Sequence, residues 1–270
     1  MERQSGFAEV NGAQLYYEVA GAGHPLVMLH GHLIDSGQWD DQFDLFANHY
    51  RVVRYDARGF GRSTKPNQPF AYYEDLRALM QFLGVERAHL MGCSGGGATV
   101  IDFALAYPAM ASALVLVGSG LSGYQFTGDP PPIILEMRAA GERGDVDRAV
   151  ELSLQLWTDG ANRRPDRVNP AARERIRAMT AALYSRPNVE AEEQWVEPAA
   201  ATRLGEIKAP TLAIVGDQDV PPILEIADMF VAQMPNARRT IIHDAGHHPN
   251  MEHPDEFNRA VLSFLAAVLV

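Results

Sequence analysis

The chain has 270 residues, 47% of them hydrophobic, which is ample for the core of one large α/β domain. Its net charge of -11 argues against a surface that neutralises phosphates, so neither nucleic acid nor an anionic membrane is an expected partner. One cysteine, Cys93, cannot form an internal disulfide, and no apolar stretch approaches the roughly 18 residues of a membrane span. The opening MERQSGFAEV has no apolar run of signal-peptide character, so the expected location is the cytoplasm.

Residues 7–10 and 14–19 read as a hairpin closed by Asn11-Gly12. Short apolar runs then alternate with helical patterns. Strands are expected at 25–31, 51–56, 88–93, 113–119, 211–217 and 237–244. Leu76, Leu79, Met80 and Leu83 share one helical face, as do Phe257, Val261, Phe264, Leu265 and Val268. Alternating strands and helices imply a mostly parallel central sheet covered by helices on both faces.

Residues 120–204 break this rhythm. The stretch opens with a glycine-rich loop and Pro130-Pro131-Pro132 and shows helical patterns but no convincing strand. Asp145 is placed to cap a helix running through Trp157, and Asn169-Pro170 to start another that ends near Tyr184. The chain therefore divides into a core α/β part (1–119), a helical lid (120–204) and a second core part (205–270). Ligands of such sheets bind beyond the carboxyl ends of the strands, where a helical insertion would cover them.

The most informative segment is MGCSGGG, residues 91–97. It fits G-x-S-x-G between an expected strand and an expected helix. Centred on Ser94, the motif is flanked by Gly92 and Gly96; centred on Cys93, it would need a glycine where Met91 stands. Ser94 therefore takes the apex as the candidate nucleophile, and Cys93 is expected to be a small buried filler. A nucleophilic serine needs a base and a group that orients the base. Asp217 and Asp219 both follow the strand at 211–217, and His247 and His248 both follow the strand at 237–244. The order serine, acid, histidine, each just beyond a strand, differs from the chymotrypsin and subtilisin orders.

At this point the chain resembles the α/β-hydrolase fold superfamily, in its serine esterase and lactonase branch. HGHLIDSGQW (30–39) is similar to the family's His-Gly oxyanion segment, and YDARGFGRS (55–63) to its D-x-R-G-x-G-x-S loop. VGDQDVPP (215–222) matches G-x-x-D with the acid at Asp219, and AGHHPNMEHP (245–254) matches G-H-x-x-x-x-E-x-P with the histidine at His247. The resemblance implies an α/β-hydrolase fold with Ser94, Asp219 and His247 as catalytic triad. It also implies an oxyanion hole from the backbone N–H groups of His32 and Gly95. Arg58, Gly59, Gly61 and Ser63 would form a structural loop, and Glu252 and Pro254 would start the last helix.

Two residues depart from the pattern. His32 stands where many relatives carry an apolar or aromatic residue, and its ring is expected to pack near the cavity mouth. Gly95 replaces a common Met or Leu, which suggests a roomier pocket floor. The substrate-binding candidates are Phe126, Trp157, Tyr184 and Trp195, an aromatic set suited to hydrophobic ligands. The implied function is hydrolysis of a small to medium hydrophobic carboxylic ester through an acyl-enzyme. The alternatives are a lactone hydrolase, of enol-lactone or acyl-homoserine-lactone type, or a carbon–carbon bond hydrolase; a non-enzymatic ligand sensor is less favoured. A serine at position 94 argues against the dehalogenase and epoxide hydrolase branches, which attack with aspartate. No cofactor is implied, and His243, His247, His248 and His253 lack the spacing of a metal site.

Overall fold

Asn11 and Gly12 both take positive φ (49° and 73°), the backbone of a type I′ turn, and so fold β1 (Arg3–Val10) onto β2 (Ala13–Ala20). Val10 pairs with Ala13 across that turn. The structure is a computed structural model and describes residues 3–126, 128–160, 163–186 and 191–269. Six further strands follow: β3 (Pro25–Leu29), β4 (Arg51–Tyr55), β5 (Ala88–Cys93), β6 (Ala111–Val117), β7 (Thr211–Gly216) and β8 (Ala237–Ile242). The sheet order is β1-β2-β4-β3-β5-β6-β7-β8. β2 runs antiparallel to both neighbours, and every later pair is parallel. This is the expected α/β-hydrolase architecture.

Every residue of β5, β6 and β7 is buried. Helices cover both faces of these strands, which explains their unbroken apolar runs in place of alternation. α2 (Tyr72–Phe82), α3 (Gly95–Ala106) and α7 (Pro221–Gln233) pack on one face, around Leu79, Ile101 and Phe230. α1 (Asp40–Ala47) and α9 (Pro254–Leu265) cover the other, around Phe43, Phe46 and Phe257. α3 is buried from Gly96 to Leu105, as a helix that is apolar all round must be.

The expected strands are present, with shifted ends. β3, β7 and β8 stop short of the expected limits, and β6 starts and ends two residues early. The excluded residues leave the ladder because their polar groups are used locally. Asp217, for example, accepts the backbone N–H of Asp244 at 2.8 Å.

Between β6 and β7 the described residues hold α4 (Pro132–Glu142), α5 (Val146–Ser153) and α6 (Pro170–Tyr184). Asp145 caps α5 through the N–H of Arg148, and Asn169 Oδ1 accepts from Ala171 and Ala172. The helix expected through Trp157 is α-helical only to Ser153; residues Leu154–Asp159 form a π-helical turn. Such turns insert one residue per turn and are frequent at functional sites. The insertion has a small core, in which Val150, Leu154 and Ile176 meet Ile34 of the segment after β3 and Met251 of the segment after β8. Buried Asp102 of α3 ties its two ends down. It accepts from Ser122 Oγ at 2.6 Å and from the N–H of Val196 at 3.1 Å.

Candidate active site

Ser94 sits between β5 and α3 with φ 52° and ψ -120°, a conformation that costs a non-glycine residue roughly 1–3 kcal/mol. The surrounding backbone enforces it. Ser94 N–H donates to Val117 O at 2.9 Å, and Ser94 O accepts from Ala98 and Gly120 at 3.1 and 2.9 Å. The flanking glycines are required by space. A Cβ on Gly92 would lie 2.2 Å from Gly96 O, and one on Gly96 would lie 2.4 Å from His30 O. Cys93 points away into the core and is fully buried, and burial pushes its thiol up to about 12.

Asp219 follows β7 and His247 follows β8. His247 Nδ1 lies 2.8 and 3.0 Å from the two carboxylate oxygens of Asp219. Asp219 Oδ1 also accepts the N–H of Val220 at 2.7 Å. Asp217 faces elsewhere, 2.9 Å from the exposed His243. The other ring nitrogen of His247, Nε2, is buried without a hydrogen-bond partner. His247 lines the same cavity as Ser94.

That cavity measures about 590 Å³. Its wall includes Ser94, Gly95, His32, His247 and His248, with Phe126, Trp157 and Trp195 from the insertion. Three of the four expected aromatic contacts are thus brought together. Tyr184 is not. It lines a neighbouring cleft of about 380 Å³ with Arg58, Lys65 and Arg186, because the C-terminal end of α6 lies over the loop after β4. The two hollows share His32 and Leu33. Arg138 of α4 is the one cationic side chain lining the main cavity among the described residues, and no carboxylate does so.

The backbone N–H groups of His32 and Gly95 donate to no protein acceptor among the described residues. The segment bearing the first is fixed from both sides. Ala57 N–H donates to His30 Nε2 at 2.9 Å, and Gly31 N–H donates to Gln38 Oε1 at 2.9 Å. The expectation of a roomier floor at Gly95 fails. A Cβ there would lie 2.4 Å from the His32 ring, which fills the space. That ring stacks on Phe60 at 5.5 Å and 11° and turns its accessible surface into the cavities. Desolvation, and next His30, lower its pKa to about 4, so it is neutral at pH 7. His248, packed edge-on against His247, is likewise held well below its ordinary value by desolvation.

The loop of residues 55–63 is held by buried polar contacts. Arg58 forms a buried pair with Asp75, with contacts of 2.7 Å. Ser63 Oγ donates to Asp56 O at 2.5 Å. Glu252 corrects the reading given above. It precedes α9 at the end of the short helix α8 (Pro249–Glu252), and its carboxylate turns inward. There it accepts the N–H of Gly246 at 2.8 Å and pairs with Arg163 of the insertion at 2.5 Å. Sequence reasoning missed Arg163 because nothing marks it out in NRRPDR. It also missed Gln38, Gln42 and Asn250, a buried amide network that joins the segment after β3 to α8.

A model of a family described as "Alpha/beta hydrolase family" matches residues 26–260. The chain is 31% identical to a 2-hydroxy-6-oxononadienedioate/2-hydroxy-6-oxononatrienedioate hydrolase of Paraburkholderia xenovorans (strain LB400), over 94% of this chain and 91% of the relative. It is 29% identical to a 2-hydroxy-6-oxo-6-phenylhexa-2,4-dienoate hydrolase of Burkholderia cepacia, with the same coverage. Among solved structures, an N-acyl homoserine lactone degrading enzyme superposes with a TM-score of 0.75 and 26% identity, covering 96% of this chain and 100% of that one.

Proposed function

The chain belongs to the alpha/beta hydrolase family, and we propose that it is a serine hydrolase acting on a carboxylic ester of small to medium hydrophobic character. One observation carries this reading. Ser94 at a strained turn and His247, a histidine held by Asp219 with its Nε2 unpartnered, line one largely apolar cavity. His247 takes the Ser94 proton as Oγ attacks the ester carbonyl. Asp219 fixes the ring orientation and stabilises the imidazolium. The N–H groups of His32 and Gly95 receive the developing oxyanion. His247 then protonates the leaving alcohol, and water, activated by the same base, releases the acid. The insertion acts as a lid, with Trp157, Trp195 and Phe126 enclosing the apolar part of the substrate and excluding water. A lactone is a cyclic ester and fits the same steps.

A second reading, carbon–carbon bond hydrolysis of an oxo-dienoate, is favoured by Arg138. Among the described residues it is the only cationic side chain lining the cavity, and it makes no protein ion pair. It would hold one carboxylate while the aromatic residues hold an apolar end, as the phenyl-bearing relative's substrate would need.

The test is turnover of p-nitrophenyl esters of increasing acyl length, of an acyl homoserine lactone and of 2-hydroxy-6-oxo-6-phenylhexa-2,4-dienoate, by wild type and Ser94→Ala. Ester release that Ser94→Ala abolishes supports the first reading. Turnover confined to the dienoate replaces it with the second. Release that survives Ser94→Ala overturns both.

A further inference from the structure

We propose that Arg163 and Glu252 are a positioning pair through which the insertion sets the alignment of His247. The inference rests on the reading of His247 as the base. The Arg163 guanidinium is buried and addresses two regions at once. Toward the insertion it donates to Thr158 O at 2.7 Å and to Asp159 O at 3.0 Å. Toward the base loop it donates to Asp244 O and to Glu252 Oε2. The second oxygen of Glu252 accepts the N–H of Gly246, the residue before His247. His247 N–H in turn donates to Trp157 O at 2.9 Å, and the two rings lie 4.8 Å apart.

The base is therefore held on one side by Asp219 and on the other by the π-helical turn of the insertion. The pair closes that second attachment. Residues 157–159 and 244–247 have no sheet ladder in common, so their register depends on side chains and on a single backbone bond. Only a forked cation serves this set of acceptors, because guanidinium presents five donors in fixed directions where ammonium presents a point charge. Space agrees with close docking: a Cβ on Gly246 would lie 2.5 Å from Thr158 O. Burial pushes the Glu252 carboxyl up, and the Arg163 cation opposes that shift. Arg173 extends the bracing from α6, reaching Asp159 at 2.8 and 2.9 Å.

Neither Arg163 nor Glu252 lines the cavity that holds Ser94, so the pair acts through His247 rather than on substrate. Its loss should reduce nucleophile activation and leave ground-state binding intact. The readout is the second-order rate at which a fluorophosphonate labels Ser94, together with kcat and KM on a p-nitrophenyl ester. Variants are Arg163→Met, Arg163→Lys, Glu252→Gln and the double Arg163→Met/Glu252→Gln, all assayed below their melting temperatures. A misplacement of about 1 Å is worth on the order of 100-fold in rate, so Arg163→Met should lower labelling and kcat ten- to a hundredfold with KM changed less than about twofold. Arg163→Lys should fall between. The double variant removes both buried charges and should recover melting temperature but not rate. The proposal is overturned if folded Arg163→Lys or Arg163→Met labels within twofold of wild type, or if the double variant recovers both. Should Arg163→Met not fold, Arg163→Lys decides alone. Wild type that does not label at Ser94 would sink the serine hydrolase reading itself, a different outcome from labelling that ignores Arg163.

Discussion

The turn that carries Ser94 and the loop that carries His247 reach the same cavity by opposite means. The first is set by its own neighbourhood: two glycines that no Cβ could replace, a strand end and the first turn of α3. The second has little local structure to hold it. Residues 243–248 lie between β8 and the short α8; apart from Glu252, six positions beyond Gly246, their anchors come from Asp217, Asp219, Trp157 and Arg163, between 27 and 90 positions away. Local backbone geometry sets the Ser94 turn, and mostly long-range contacts set the His247 loop.

Substitutions can separate these two modes. The largest expected effect on rate comes from Asp219→Asn, which keeps the loop geometry but favours the wrong His247 tautomer. Its kcat should fall about 10⁴-fold with little change in melting temperature. A fall below tenfold would place the orienting acid elsewhere. Gly92→Ala acts on the fold of the nucleophile turn. Its Cβ would sit 2.2 Å from Gly96 O, a backbone atom that cannot swing away. Stability measured in urea should drop by at least ~3 kcal/mol, as overpacking against backbone demands. Gly95→Ala is milder, because its clash is with the His32 ring. It should cost about 1–3 kcal/mol, and Gly95→Ala/His32→Ala should regain most of that loss. Additive losses in that cycle would mean the two positions are uncoupled. The smallest effect belongs to Asn169→Ala, which removes the Oδ1 cap of α6 and only a long 3.5 Å contact with Glu252 O. It should cost about 1 kcal/mol and leave kcat unchanged.

The same contrast explains what could be read in the sequence. Strand runs, the Asn11-Gly12 turn, the caps Asp145 and Asn169, and the preference for Ser94 over Cys93 each depend on residues adjacent in the chain. For the same reason burial of Cys93 was foreseeable, and its high thiol pKa predicts negligible alkylation by iodoacetamide at pH 8 in the folded protein. The choice of Asp219 over Asp217 needed the family motif, since two aspartates two positions apart look alike until β7 ends and turns one toward His247. Arg163, the inward turn of Glu252 and the Gln38–Gln42–Asn250 network left no mark, because each joins segments far apart in sequence through polar side chains without periodicity. Tyr184 was misplaced for a related reason. Its helix was foreseen, but which hollow the end of α6 overlies depends on how the insertion docks. The π-helical turn that carries Trp157 was equally hidden, since its composition continues the α-helical pattern of α5.

Whether His247 activates Ser94 as a nucleophile is decided by treating the protein with a fluorophosphonate and locating the adduct by peptide mass spectrometry, in wild type and in His247→Ala. The expected result is a single adduct on Ser94 in wild type, slowed by at least about a thousandfold in His247→Ala. An adduct on another residue, or labelling of Ser94 at the same rate without His247, would contradict it.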